Sequence, residues 1–256
     1  MWFDETNANS KKYALWVVGM EGRALKDASP ELQNDKDVVL KAVENNESAI
    51  QFASPELQND RDVAFKAIDR TWTALQYIKP ELRDDKDIML RAIEKEGAAL
   101  QFASNRLKND KDVVLKAVGE NGYALEYASP RLRNDKDVAL KAVSNLWAAL
   151  KYASPEMQND RDVVLKAIEK CGSALEYASP ELKNDKDIVL EAVKNDGWAI
   201  EFASSELKND VDVIIAMGLY FEDYYIHDDI GNDDIGDDDI GDDDSAEDIG
   251  DSWFTR

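Results

Sequence analysis

Asn34-Asp35-Lys36-Asp37-Val38 is followed by Asn59-Asp60-Arg61-Asp62-Val63 and Asp84-Asp85-Lys86-Asp87-Ile88, and this register holds every 25 residues as far as Asn209-Asp210-Val211-Asp212-Val213. The first Asp recurs as Asp110, Asp135, Asp160 and Asp185, and a second Asp follows each two places later. A fixed period of this length is the signature of a repeat array, in which each unit buries its apolar face only by stacking on its neighbours. The sequence therefore predicts an all-α chain: a right- or left-handed α-solenoid of eight ~25-residue helical repeats, with a capping helix and a disordered acidic tail.

The unit from Asn34 to Leu57 serves as the type. Asn34 and Asp35 are good N-cap residues, and Asp37 is placed to answer free N–H groups of the first turn. Val38, Val39, Leu40, Ala42 and Val43 form one apolar face, opposite Asp37, Lys41 and Glu44, so a first helix is expected over about 35–45. Asp37 and Lys41 are an i,i+4 pair of the favourable order, repeated from Asp62–Lys66 to Asp162–Lys166. After a polar break comes Ala49-Ile50-Gln51-Phe52-Ala53, a second helix of about two turns that could not stand alone in water. Ser54-Pro55-Glu56-Leu57 closes the unit as a short third turn, started by Ser and held by Leu57.

The ends depart from this pattern. Residues 1–9 read as a lead-in, and Lys11-Lys12-Tyr13-Ala14-Leu15 keeps the apolar positions of a first copy without its acids. The repeat body spans 10–221. In its last helix, from Asp210, Val211 replaces the basic residue and Gly218 stands where Val or Ile belongs, which reads as a C-terminal cap. Residues 222–256 form the tail, where Gly closes a five-residue Asp-rich motif at Gly231, Gly236 and Gly241; dense like charge without a core predicts disorder.

The charge is lopsided. The chain has a formal net charge of -23, and 15 of its 54 acidic residues lie from Glu222 onward against a single Arg. Such a balance disfavours a phosphate backbone or an anionic lipid surface and favours a basic protein partner, or simply solubility. No nucleic acid, membrane or cofactor is expected. One cysteine, Cys171, excludes an internal disulfide and suits a reducing compartment, so a cytoplasmic protein is expected, or one delivered to a host cell as an effector. The apolar run Tyr13–Val18 is too short to span a bilayer and falls on the repeat register.

The unit resembles the family called domain of unknown function 4116, on the strength of Gly197-Trp198-Ala199-Ile200-Glu201-Phe202-Ala203-Ser204 and the join Glu206-Leu207-Lys208-Asn209-Asp210. The resemblance covers about residues 10–215 and implies a helical repeat fold without an assigned activity. Ser48 and Thr73 depart from it, standing where the family often has Trp, and so does the acidic tail.

Each acidic or nucleophilic group that could carry chemistry also has a structural reading. The Asn-Asp-X-Asp clusters lack the Gly and the closing Glu of a calcium loop, and capping accounts for one cluster per helix. The tail aspartates are likewise not in calcium-loop order. His227, the single His, lies at the root of the tail, and Cys171 has no His partner, so no catalytic, cofactor-binding or metal site is assigned and no enzyme is expected. What varies is the turn between the two helices. Trp72, Tyr123, Trp147 and Trp198 are its candidate protein-binding anchors, against the alternative that these rings pack down on their own second helix. Two functions follow: a non-catalytic scaffold that binds protein along this edge, or an acidic decoy in which the tail imitates nucleic acid and engages basic partners.

Overall fold

The computed structural model describes Phe3 and residues 10–230, with side chains as far as Phe221. Among them there is no strand. The expected tail conformation at 231–256 and most of the lead-in lie outside the described residues. Nine longer helices recur: α1 Lys11–Met20, α2 Lys36–Asn45, α3 Arg61–Arg70, α4 Lys86–Ile93, α5 Lys111–Glu120, α6 Lys136–Asn145, α7 Arg161–Ile168, α8 Lys186–Asn195 and α9 Val211–Ile230. Each packs against the next in chain order.

Capping starts these helices as the sequence predicts. Asp35 is the N-cap of α2, and its carboxylate accepts from Asp37 N at 3.1 Å and Val38 N at 3.2 Å. Asp60, Asp85, Asp110, Asp160, Asp185 and Asp210 repeat both bonds, whereas Asp135 accepts only from Val138 N. Val38, Val39, Ala42 and Val43 are fully buried, and the same four positions are dry through Val193. Each helix is thus sandwiched between its predecessor and its successor.

The i,i+4 pairs do not form. Asp37 pairs instead with Lys11 of the preceding unit (2.7 Å), and Lys41 turns to Glu44 (3.0 Å). The basic residue that opens each helix reaches forward to both acids of the next: Lys36 Nζ lies 2.9 Å from Asp60 and 2.6 Å from Asp62. Arg61, Lys86, Lys111, Lys136, Arg161 and Lys186 repeat this clasp. The lateral partner prevails because one ammonium between two carboxylates gains two attractions.

The second segment is a 3₁₀ helix, Glu47–Phe52 in the type unit, rather than an α-helix. Six residues make two turns at three per turn, and i→i+3 bonding leaves fewer unsatisfied groups at each end of so short a piece. Asn46 caps it by accepting from Ser48 N at 3.0 Å, and Thr71, Glu96, Asn121 and Asp196 do the same in their units. Gln58 closes its far end by donating to the carbonyls of Gln51 and Ala53.

The closing turn is a single helical turn, Pro30–Gln33 or Leu57–Asn59, and is stitched to the unit before it. Ser54 N donates to Gln33 O (2.9 Å), its Oγ donates to Asn34 Oδ1, and the same Oγ accepts from Leu57 N (3.3 Å). Ser104, Ser129, Ser154, Ser179 and Ser204 repeat the stitch, with Asp84 in place of Asn under Ser104.

The last helix is the main departure. It continues past 221 to Ile230, and it does not present the polar outer face of a cap: Val211, Ile214, Ile215 and Leu219 are all exposed.

A candidate binding groove on the 3₁₀ edge

The 3₁₀ segments lie side by side, and their sixth residue is aromatic in seven consecutive units: Phe52, Tyr77, Phe102, Tyr127, Tyr152, Tyr177 and Phe202, all half-buried. The four proposed anchors sit beside this row in two registers. Trp72 and Trp147 hold the first place of their segments, while Tyr123 and Trp198 hold the second.

Register decides their fate. The first place points along the stack, and there Gly22, Gly97, Gly122 and Gly172 lie so close to the next helix that a Cβ on Gly97 would sit 2.3 Å from Ala117 O. Trp in that place meets a shorter facing helix. The helices facing Trp72 and Trp147, α4 and α7, stop at Ile93 and Ile168, two residues before the corresponding end of α2. Each Trp ring then rests half-buried on an aromatic of the following unit: Trp72 on Phe102 and Trp147 on Tyr177, both at 6.1 Å between centroids, the second pair stacked at 22°. They are staples between units, rather than rings folded onto their own segment. At the second place Ser48 is buried, whereas Tyr123 and Trp198 are 46% and 62% exposed, the latter meeting Phe221 edge to face at 5.2 Å. Of the four anchors, these two offer free surface.

A second residue marks the kind of junction and was missed from the sequence. Where the first place is Gly22, Gly122 or Gly172, the next helix ends in Asn45, Asn145 or Asn195, whose Oδ1 accepts from the glycine N–H at 2.7 Å. Where it is Glu47, Trp72 or Trp147, the same position is Arg70, Lys95 or Lys170, the two lysines lying just past the ends of α4 and α7, and Gly97 faces Glu120. Arg70 and Lys95 then reach back to the carbonyls of Glu44 and Asp69. The pairing of two positions 23 residues apart was the available signal.

A groove opens on this edge. It has a volume of about 370 Å³ and is lined by Tyr123, Tyr127, Tyr152 and Tyr177 with Glu126 and Lys151 on its rim. Ala98 and Ala148 stand at the second place on either side of Tyr123, so small residues leave the hollow that the rings border. Tyr123 meets Tyr152 edge to face at 6.0 Å and 85°. Burial, followed by the nearby carboxylates Glu126 and Glu176, raises the phenols of Tyr127 and Tyr177 above the ordinary tyrosine value. They therefore stay protonated and present O–H donors at neutral pH. The Lys151 ammonium lies 5.7 Å from the centre of the Tyr152 ring, within cation–π range.

Catalytic parts are not gathered here. Cys171 is half-buried at the start of its 3₁₀ segment and makes no cap bond, and the His227 side chain lies outside the described residues. Among the described residues no three His, Cys, Asp or Glu side chains are grouped as metal ligands, and no helix is long and apolar enough to cross a membrane.

The family profile described as "Domain of unknown function (DUF4116)" matches residues 17–58, 35–83, 85–133, 110–158, 135–183, 160–208 and 185–217. The chain belongs to the DUF4116 family. Most of these matches start one 25-residue period after another and overlap, so a DUF4116 match reads about two of the units described above. Searches of curated proteins and of solved structures return no match.

Proposed function

We propose that this DUF4116 chain is a non-catalytic α-solenoid scaffold that binds a protein segment carrying Lys or Arg in the groove formed by Tyr123, Tyr127, Tyr152 and Tyr177. The observation that carries this reading is the convergence of four tyrosines from three consecutive segments around one hollow, with a carboxylate on its rim. Tyrosine supplies apolar contact area, a hydrogen-bonding tip and a face that attracts cations. Glu126 and the neighbouring exposed Glu176 outnumber Lys151, and the net charge of the chain favours a basic partner. The groove lies on the edge where residues vary from unit to unit over a constant frame, which is where repeat proteins present binding surface.

Peptide display tests the reading. Wild type should enrich Lys- or Arg-containing peptides from a random library, and Tyr123→Ala/Tyr152→Ala should lose at least tenfold in affinity for them, about 1.4 kcal/mol. Equal enrichment on both proteins, or selection of acidic peptides, would refute it.

A further inference from the structure

The residue that follows the buried Leu of a closing turn has a plain task in several units. Gln33, after Leu32, donates to Leu25 O at 3.1 Å, and Gln58 and Gln158 likewise bond carbonyls at the end of the preceding 3₁₀ segment. In three consecutive units a cation takes this place: Arg83, Lys108 and Arg133. None of the three makes the bond. The Nε atoms of Arg83 and Arg133 are shut away from solvent without a hydrogen-bond partner, and no carboxylate among the described residues pairs with any of the three cations. A buried donor left without a partner calls for a reason.

These cations stand in a row, because the closing turns are stitched in register. Ser104 N donates to Arg83 O at 3.4 Å, Ser129 N to Lys108 O at 2.9 Å and Ser154 N to Arg133 O at 3.0 Å. All three side chains are half-buried. Burial, followed by the charge of Arg83, lowers the Lys108 ammonium below the ordinary lysine value. The second residue of the turn reinforces the sign: Glu31, Glu56 and Glu156 give way to Arg106 and Arg131 in two of the same units. Asp84 answers Arg106 at 3.0 Å, but Arg131 finds only the neutral Asn109, its side-chain oxygen at 2.9 Å and its carbonyl at 2.8 Å. Beside Arg133 a hollow of about 320 Å³ opens between Pro130 and Pro155, and Glu156 lines it without pairing to Arg133.

We infer that this row is a docking site for an acidic segment of another protein, whose Asp or Glu side chains supply the partners that Arg83, Lys108 and Arg133 lack. Charge complementarity points to the occupant, and spacing agrees with it. Packed helices lie about 10 Å apart, and three residues of extended chain span about 10 Å, so acids three places apart reach successive cations. A nucleic acid, with its dense phosphate charge, is opposed by the net charge of -23. A short acidic segment in contact with the row is not, since at about 0.15 M salt charges farther off than about 8 Å are largely screened. The acidic stretch of this chain is poorly placed to fill the row: Phe221, after which it begins, packs on Trp198 at the other end of the long helices. The hollow beside Arg133 shares no lining residue with the tyrosine groove, so the two sites take ligands of opposite charge independently.

Fluorescence anisotropy on the full chain reads this out, with a labelled extended peptide of about twelve residues carrying Glu at every third place among Gly and Ser. Wild type should bind it, should not bind the same peptide with Gln for Glu, and should lose affinity several-fold between roughly 0.15 and 0.5 M salt. Arg83→Gln/Lys108→Gln/Arg133→Gln installs the residue already present as Gln33, Gln58 and Gln158, so its melting temperature should not fall, while its affinity should drop at least about tenfold. Tyr123→Ala/Tyr152→Ala should bind the Glu peptide as wild type does, which separates this site from the tyrosine groove. No binding at roughly 1 mM peptide, equal affinity in the triple Gln variant, or tighter binding of a single-stranded oligonucleotide of equal charge would each overturn the proposal.

Discussion

Replacing one acid of a single clasp separates capping from ion pairing. Asp110 accepts from Asp112 N at 3.1 Å and Val113 N at 3.2 Å, and its second oxygen lies 2.9 Å from Lys86 Nζ. Asp112 meets the same lysine at 3.5 Å, but its side chain is 86% exposed. Loss of an N-cap to Ala costs about 1 kcal/mol, up to about 2 where the cap is partly sheltered. Asp110 side-chain exposure of 24% places it in the sheltered class, so Asp110→Ala should destabilise by about 2 kcal/mol. With a urea slope of roughly 2 kcal/mol/M, the unfolding midpoint falls by about 1 M. Asp110→Asn keeps an acceptor and should lose about half as much, while Asp112→Ala should shift nothing measurable. Raising salt to about 1 M screens an ion pair but not a cap, so the Asp110→Ala deficit should persist there. An Asp112→Ala loss equal to that of Asp110→Ala, or a deficit erased by salt, would refute the assignment of Asp110 as a cap.

Trp147→Ala removes a half-buried staple and should cost about 2 kcal/mol in the same urea assay, against less than about 1 for the exposed Tyr123→Ala; the reverse order would contradict the two registers. Gly122→Val should cost about 3 kcal/mol or more, because even a Cβ at Gly122 would lie 2.7 Å from Ala142 O, and a neutral outcome would mean that the tight junction can relax. Acid should destabilise the array through its caps. Burial alone would raise Asp35, Asp60, Asp110, Asp135 and Asp160, but the facing lysines and the first-turn N–H groups outweigh it and hold each below the ordinary Asp value. Their contribution is complete above the unfolded value of about 4 and is lost as pH falls through the lower folded values, so thermal stability should be flat from about pH 6 to 5 and fall steeply below about 4. A melting temperature unchanged at about pH 3 would count against it.

What the sequence carried by itself was the start and the buried face of each long helix and the start of its closing turn. Asp35 as a cap, the dry face of Val38, Val39, Ala42 and Val43, and the Ser54 start of the closing turn are local consequences of spacing and side-chain chemistry, and each is found. What lay between units was not legible in the same way. Asp37 was assigned to Lys41 one turn away, yet it bonds Lys11, 26 residues earlier in the chain. The anchors looked alike in a list of variable turns, but first-place Trp72 and Trp147 wedge the junctions while second-place Tyr123 and Trp198 face outward. Periodicity fixes which residues share a face within a helix and says nothing about the distance or angle at which the next helix arrives. Only the stacked structure decided that, through carbonyl-to-glycine approach at some junctions and ring packing of Trp72 and Trp147 on the following unit at others.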